Sequence, residues 1–379
     1  MSASPQRRRR LLLLGGGHSH ALTLLDWAQR PLPTSDLELV LVNPSRHSLY
    51  SGLVPAWMAG RQALAALQID LAALCQAAGA RLMLGEAEAL DAQHQRLRLS
   101  NGESLDYDLL SVNTGSTLRP PEHAGPCLTL RPLSRLIHDW PAFLQTWQHE
   151  DGPLALDAVG GGAAGVEVLL AVLHRLHLLR PDRPMQARLF SASDRLLVGH
   201  PTGVARRAEL ALRQAGVQLA LGRRWQPGDS PAGSCLLWAA GAQPPAWLAR
   251  SGLALSSDGY LAVNPSLQSR SHPSVFAAGD SAAFSPPLDK SGVRAVRMAP
   301  TLADNLRATW VGQPLQVHRP QSAVLALLAL PDGRAIASHA RWGSAQGRWV
   351  GRWKDALDVG FMRRFAPEAL ASLNPPGVS

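Results

Sequence analysis

Cysteine is scarce: Cys75, Cys127 and Cys235 are the only three in 379 residues, far apart and never in a C-x-x-C pair. That spacing excludes a disulfide framework and a cysteine-built zinc site, and it suits a reducing cytoplasm. Lysine is nearly missing, with Lys290 and Lys354 the only two among 37 basic residues. Charged residues make up only 17% of the chain, yet the balance is uneven and leaves a net +9. Aromatic residues are sparse at 5%, and no nucleic-acid motif accompanies the arginines. The basic excess therefore reads as a solvated surface or as affinity for a membrane surface, with no nucleic-acid partner. No apolar run approaches the roughly 18 residues needed to cross a bilayer. Arg7 to Arg10 followed by Leu11–Leu14 imitate a signal peptide, but the apolar stretch is too short and runs into glycines. It reads as a basic tail leading into a strand. The length exceeds one ordinary core, so two domains and a small appendage are expected.

Glycine, by contrast, is placed with purpose. Leu11–Leu14 followed by Gly15-Gly16-Gly17-His18-Ser19-His20 and the apolar positions Leu22, Leu24, Leu25 and Trp27 read as buried strand, tight turn and helix. Such a unit cradles a pyrophosphate, because glycine admits close approach and the helix start offers free N–H groups. His20 stands where a third small residue is usual. Leu37–Asn43 is the next strand, with Asn43 where an acid would bond a ribose. Arg46 follows it directly. Gln62–Ala78 reads as a helix, Leu82–Ala89 and Gln95–Leu99 as strands, Asn101-Gly102 as a hairpin turn, and Leu105–Ser116 as a strand ending in a small-residue turn. Pro120-Pro121 and Gly125-Pro126 mark a linker.

The unit then repeats. Leu154–Val159 leads into Gly160-Gly161-Gly162-Ala163-Ala164-Gly165, with full G-x-G-x-x-G spacing, and into a helix carrying Glu167. Ser191 ends the following strand where an acid would select NADH; with Arg195 nearby, the 2′-phosphate of NADPH is admissible. Leu236–Gly241 closes this part. Val275–Asp280 is a strand that delivers Gly279 and Asp280 to its edge, where a carboxylate can bond ribityl hydroxyls. Two units in frame imply an α/β chain with two Rossmann-like nucleotide-binding domains, one for a flavin and one for a nicotinamide. The expected limits are 1–125 with 255–325 for FAD, 126–254 for an inserted NAD(P) domain, and 326–379 for a small C-terminal region.

On these residues the chain resembles the two-dinucleotide-binding-domain flavoproteins of the pyridine nucleotide-disulfide oxidoreductase superfamily, glutathione-reductase-like in fold. Within them it is similar to type II NADH dehydrogenases, and to the related module sometimes fused ahead of selenophosphate synthetase. The segments carrying the likeness are GGGHSH at 15–20, RHSLYSGLVP at 46–55, VGGGAAGVE at 159–167, FAAGD at 276–280, KSGVRAVR at 290–297 and GRWKDALDVGFMRRF at 351–365. No synthetase domain follows Ser379, which implies a stand-alone counterpart. The likeness implies FAD held by Gly15, Gly16, Gly17, His18, His20, Asn43, Arg46, Thr114, Gly115, Gly279 and Asp280. Gly160, Gly162, Gly165, Glu167, Ser191 and Gly241 would serve NAD(P)H. The segment Lys290–Thr301, placed before a closing helix, would pass the flavin's pyrimidine end and the acceptor. It departs from the pattern at Met298, where relatives often carry glutamine.

The expected chemistry is hydride transfer from NAD(P)H to FAD, then electron delivery to a quinone; the alternatives are a protein or a selenium or sulfur acceptor, and a flavin-binding module that does not turn over. Residues 44–60, where disulfide reductases carry a redox cysteine pair, hold none. Cys127 and Cys235 would matter only if folding brought them beside the flavin. Lys290 is either a cation at the flavin's N1–C2=O edge or a solvated loop residue. Glu167 is either a nicotinamide contact or a first-turn carboxylate facing the helix dipole. His18 and His20 read as structural or flavin-contacting residues, with no metal. The tail from Trp342 to Phe365 mixes aromatics with arginines and suits either a membrane interface or a cap over the flavin domain. The oligomeric state is left open, and the expected location is cytoplasmic, at most peripheral on the inner membrane.

Overall fold

The computed structural model describes residues 8–32, 36–321 and 323–373. Arg7 of the basic lead-in and the last six residues lie outside this set. Strand β1 (Arg9–Leu14) is buried on both faces from Leu11 onward, as a central parallel strand requires. Gly15 ends it, and helix α1 (His18–Gln29) follows. Strand β2 (Leu37–Asn43) lies beside β1.

The helix expected over Gln62–Ala78 is three shorter pieces: a 3₁₀ turn at Leu64–Leu67, a strand at Gln68–Asp70, and helix α2 (Leu71–Ala77). The reason is Asp70, whose Oδ1 accepts from the N–H groups of Ala72 (2.9 Å) and Ala73 (3.1 Å) and so starts the helix there. Strand β3 (Arg81–Leu84) leads to a meander of Ala87–Asp91, Arg96–Leu99 and Ser104–Asp106, with Asn101-Gly102 between its last two strands. The run from Leu105 divides at Tyr107-Asp108, and strand β4 (Leu109–Val112) returns to the main sheet.

The chain next builds a second sheet from β5 (Cys127–Thr129), helix α3 (Leu133–His149), β6 (Leu154–Val159), helix α4 (Ala163–Leu179), β7 (Met185–Ser191), helix α5 (Thr202–Gln214), β8 (Val217–Leu221) and β9 (Cys235–Trp238). It comes back with β10 (Val275–Ala277) and helix α6 (Gly292–Trp310). Of the segment Lys290–Thr301 only Lys290 and Ser291 precede the closing helix; residues 292–301 form its first half, because Ser291 Oγ accepts from Arg294 N–H and fixes the start there.

Both sheets are parallel and follow one plan. The first runs β10-β4-β1-β2-β3 and the second β5-β9-β6-β7-β8. In each, strand order reverses beside the first glycine-ended strand, at β1/β4 and at β6/β9. The crevice outside the carboxyl ends at such a switch point is where open α/β sheets take ligands. A three-stranded antiparallel sheet, β11 (Ala326–Ala329), β12 (Ala335–His339) and β13 (Gly343–Gly347), then leads into helix α7 (Arg348–Arg363). That helix buries Val350, Lys354 and Asp358, spaced four apart, and leaves Trp349, Trp353 and Leu357 exposed on an adjoining stripe. Among the described residues no helix is long and apolar enough to cross a membrane.

Candidate functional site: two glycine cradles

The turn after β1 is tied to its neighbours on both sides. Gly15 N–H donates to Val42 O, and Asn113 N–H to Leu14 O, both at 2.8 Å. Gly15 has φ +91°, and a Cβ there would stand 2.7 Å from Asn113 O. At Gly17 a Cβ would collide with the Asn113 side chain. Asn113 Oδ1 accepts from the N–H groups of Ser19 (3.1 Å) and His20 (3.2 Å), while its amide donates to Ala278 O (2.8 Å). One asparagine thus joins the start of α1 to the end of β10.

His20 is fully buried, and burial holds its imidazole down to about 4, so the ring is neutral. Nδ1 lies 2.6 Å from Gly15 O, which only accepts; Nδ1 therefore carries the proton, and Nε2 accepts from Ser111 Oγ at 2.7 Å. Asn43 also works inward: its Oδ1 accepts from Gly16 N–H (2.8 Å) and its amide donates to Ser45 O (2.7 Å). Arg46 forks onto Asp70, with Nη2 at 2.7 Å. Asn43, Arg46 and His20 thus brace the cradle through protein partners.

Asp280 stands at the opposite wall. Its carboxylate is held by Arg131, which also reaches Ser116 Oγ. Gly115 N–H donates to Ser281 Oγ at 2.9 Å, with Thr114 Oγ1 at 3.4 Å, so Thr114 and Gly115 sit beside Asp280. Lys290 donates to Asp280 O (2.6 Å) and covers the Tyr260 ring at 3.4 Å. Burial lowers its ammonium to about 8. Lys290 is an exposed residue of the segment before α6, tethered to the backbone beside Asp280.

At the second cradle each glycine has its own reason. Gly160 takes φ +125°, and its N–H donates to Phe190 O at 2.9 Å. A Cβ on Gly165 would strike Gly160 O, so this glycine lets α4 press onto the turn. Gly162 caps α4, and a Cβ there would meet nothing of the chain. Ser191 lies under the loop: a Cβ on Gly161 would fall 2.7 Å from its Oγ. Gly241, at φ +69°, is exposed beyond β9. Cys127 and Cys235 begin β5 and β9, at the edge away from the cradle, and burial raises both thiols.

Glu167 differs from the expected first-turn residue. Helix α4 starts at Ala163, so Glu167 lies past the first turn, and its Oε1 accepts from Ala329 N–H at 2.6 Å. Burial raises its carboxyl to about 7, although Lys354 pulls the other way. Lys354 donates to Asp358 Oδ2 (2.7 Å) and to Gly52 O (2.8 Å), and Asp358 Oδ1 accepts from Tyr50 Oη (2.8 Å). The Tyr50 ring stacks on Phe361 at 4.4 Å and meets His18 edge-on at 5.5 Å. Helix α7 thus packs against Tyr50 beside the first cradle, while Glu167 of α4 is tied to β11.

Asn113, Arg131, Lys354 and Asp358 are the functional candidates missed from sequence. Only Asn113, in the small-residue turn after β4, carried a local signal. His18 Nε2 is buried without a partner among the described residues, and its imidazole is held down to about 4 mainly by burial. An unpaired polar atom beside a glycine cradle, with open space over Gly162 at the other, fits a pair of dinucleotides. Among the described residues no His, Cys, Asp or Glu cluster could hold a metal.

Comparisons with known proteins agree with this geometry. NADH dehydrogenase-like protein Rv1812c of Mycobacterium tuberculosis is 28% identical over 243 residues, covering 58% of this chain and 60% of the relative, less than two thirds of its length. The sulfide:quinone oxidoreductase of Aquifex aeolicus has a similar fold, with TM-score 0.73 at 16% identity over 96% of this chain and 92% of that one. An NAD-dependent persulfide reductase from A. fulgidus gives 0.70 at 16% identity, over 91% and 66%. A model of the family described as pyridine nucleotide-disulphide oxidoreductase matches residues 9–305. With two cradles at two switch points, this chain belongs to that family, and its cofactors are FAD and NAD(P)H.

Proposed function

We propose that this chain is an FAD-dependent NAD(P)H dehydrogenase that delivers electrons to a quinone. On this reading residues 1–125 and 255–325 carry FAD, residues 126–254 form the inserted NAD(P) domain, and residues 326–379 are a C-terminal cap or membrane-contact region. The observation that carries it is the pair of glycine cradles at two switch points, with Asp358 of α7 bonded to Tyr50 beside His18 at the first and buried Glu167 bonded to Ala329 N–H behind the second. The bound cofactors supply hydride transfer and onward electron delivery. The residues position them and manage charge. Gly15, Gly17 and Asn113 shape the first pyrophosphate seat; Gly160, Gly162 and Gly165 shape the second. Asp280 would hold the ribityl hydroxyls of the flavin, and Lys290 would place a positive charge beside it. Glu167, with its carboxyl near neutrality, holds or releases a proton at physiological pH.

A thiol relay finds no support. The segment 44–60 has no cysteine, and burial keeps Cys75 protonated, up to about 12. A lipid-borne quinone is favoured by the bare stripe of Trp349, Trp353 and Leu357 at 59%, 38% and 50% exposure, which lies next to Arg352 and suits a membrane interface. Stopped-flow mixing of the flavin-loaded protein with NADH or NADPH tests the reading. The flavin band is expected to bleach rapidly and to return on adding a water-soluble quinone. No bleaching by either nucleotide removes the dehydrogenase; bleaching that quinone does not reverse removes the acceptor. The membrane part rests on vesicles of anionic lipid, which the Trp349→Ser/Trp353→Ser pair should bind several-fold more weakly.

A further inference from the structure

A cavity of about 480 Å3 opens between α1, α6 and the segment that follows α6. That is the size of a small-molecule site, and neither cradle uses its outer wall. The rim is cationic: Arg294 and Arg297 come from α6, Arg319 and the adjacent His318 from the segment beyond it, and Arg364 from the end of α7. These charges are poorly matched. Among the described residues no ion pair holds Arg297, Arg319 or Arg364, and Arg294 has only Asp289 at 3.9 Å, a side chain 94% exposed. The one carboxylate in the wall, Asp26, pairs through Oδ1 with Arg30 at 2.5 Å, and its Oδ2, without a hydrogen bond among the described residues, has Arg307 at 3.7 Å.

Like charges gathered on one concavity repel one another, and a bound anion relieves them at several points together. Guanidinium forks match oxyacids in two-point geometry. The deeper wall is different, formed by the apolar side chains of Leu22, Val296 and Met298. A bare inorganic ion would leave that wall in contact with water. The cavity is also near the first cradle, since Met298 Sδ accepts from Gly279 N–H at 3.2 Å.

We propose that this cavity binds a small organic anion, an oxyacid head on an apolar body, at a site distinct from both dinucleotide cradles. The proposal does not depend on which acceptor the enzyme uses. A free metabolite acid and the head of an anionic lipid share this chemistry.

Equilibrium dialysis of the flavin-loaded full chain at low salt tests it, with 1-naphthalenesulfonate as the probe and neutral 1-naphthol as its control. One saturable site is expected, at least tenfold tighter for the sulfonate and weakened by added salt. The Arg297→Gln/Arg319→Gln pair should weaken it tenfold or more while flavin content and melting temperature stay at wild-type values. Equal affinity for sulfonate and naphthol, or unchanged binding in the pair, overturns the proposal. If that pair fails to fold, the exposed single variant Arg364→Gln carries the same test, with a several-fold loss expected and no loss overturning it. Displacement of the probe by phosphatidylglycerol vesicles, and not by phosphatidylcholine vesicles, assigns the lipid head; retention of the probe against both assigns the free acid.

Discussion

At the first cradle Asn113 takes the N–H groups of Ser19 and His20, whereas at the second the matching residue is Ala239, which has no side-chain acceptor. The match is structural: Asn113 N–H donates to Leu14 O, and Ala239 N–H donates to Val159 O at 2.9 Å, each just past the neighbouring strand. The third position differs too. Gly165 presses its backbone onto Gly160 O, while His20 reaches Gly15 O with a ring nitrogen. A missing third glycine is tolerated where the close contact becomes a hydrogen bond. The first cradle is tied by buried side-chain hydrogen bonds, as the proposed flavin seat would need; the second leaves Gly162 facing open space, as would suit the proposed exchange of a nicotinamide nucleotide.

The largest effect expected from this contrast is at the glycines. Gly17→Ala should drop the flavin-to-protein ratio below about a tenth of wild type, because its Cβ meets the Asn113 amide, which has no room to move. Gly162→Ala should keep its flavin and raise the KM for NAD(P)H several-fold. Equal flavin loss in both would erase the distinction. Absorbance of released flavin and steady-state kinetics decide it.

The cradles should also answer pH in opposite directions. His18 and His20, lowered to about 4 from an ordinary 6.5, bind fewer protons folded than unfolded, so their stabilisation is lost as pH falls from 6.5 towards 4. Glu167, raised to about 7 from 4.5, binds more protons folded, so stability falls as pH rises through that window. Glu167→Gln should remove the second trend alone. In urea unfolding, the variant's advantage over wild type should grow by on the order of 2–3 kcal/mol between pH 5 and pH 8. A constant difference across that range would refute the assignment.

Asn113→Ala strips three buried hydrogen bonds and should cost about 2–3 kcal/mol in the same assay, with partial flavin loss. Smallest is Arg46→Ala. Its pairing with Asp70 is exposed and screened by solvent, so only a small loss is expected. A loss several times larger would mean that Arg46 reaches a cofactor.

Both glycine units and the Gly279-Asp280 turn were legible from sequence, because strand, turn and helix are local and each leaves a pattern. The misread helix over Gln62–Ala78 shows the limit of composition. Alanine and leucine ran through the whole stretch, and Asp70 decided where the helix began. What tied the cradles together was not legible. Arg131 meets Asp280 across 149 residues and Tyr50 meets Asp358 across 308, and no local periodicity encodes such meetings. Lys354 was visible only as a rarity. The tail's two expected roles fall on different faces of one helix, Phe361 and Asp358 against Tyr50 and the exposed tryptophans away from it, and both remain proposals.

The stacking of Phe361 on Tyr50 beside His18 also orders events in time. A chain made from its N-terminus lays down the first cradle at residues 15–20 more than 340 residues before the ring that covers it. Asp280 and the β10 edge arrive late as well. During synthesis the proposed flavin seat lacks this ring until α7 has been made. On the proposed reading, a nascent chain halted before Phe361 would have the flavin seat without the ring that stacks on Tyr50.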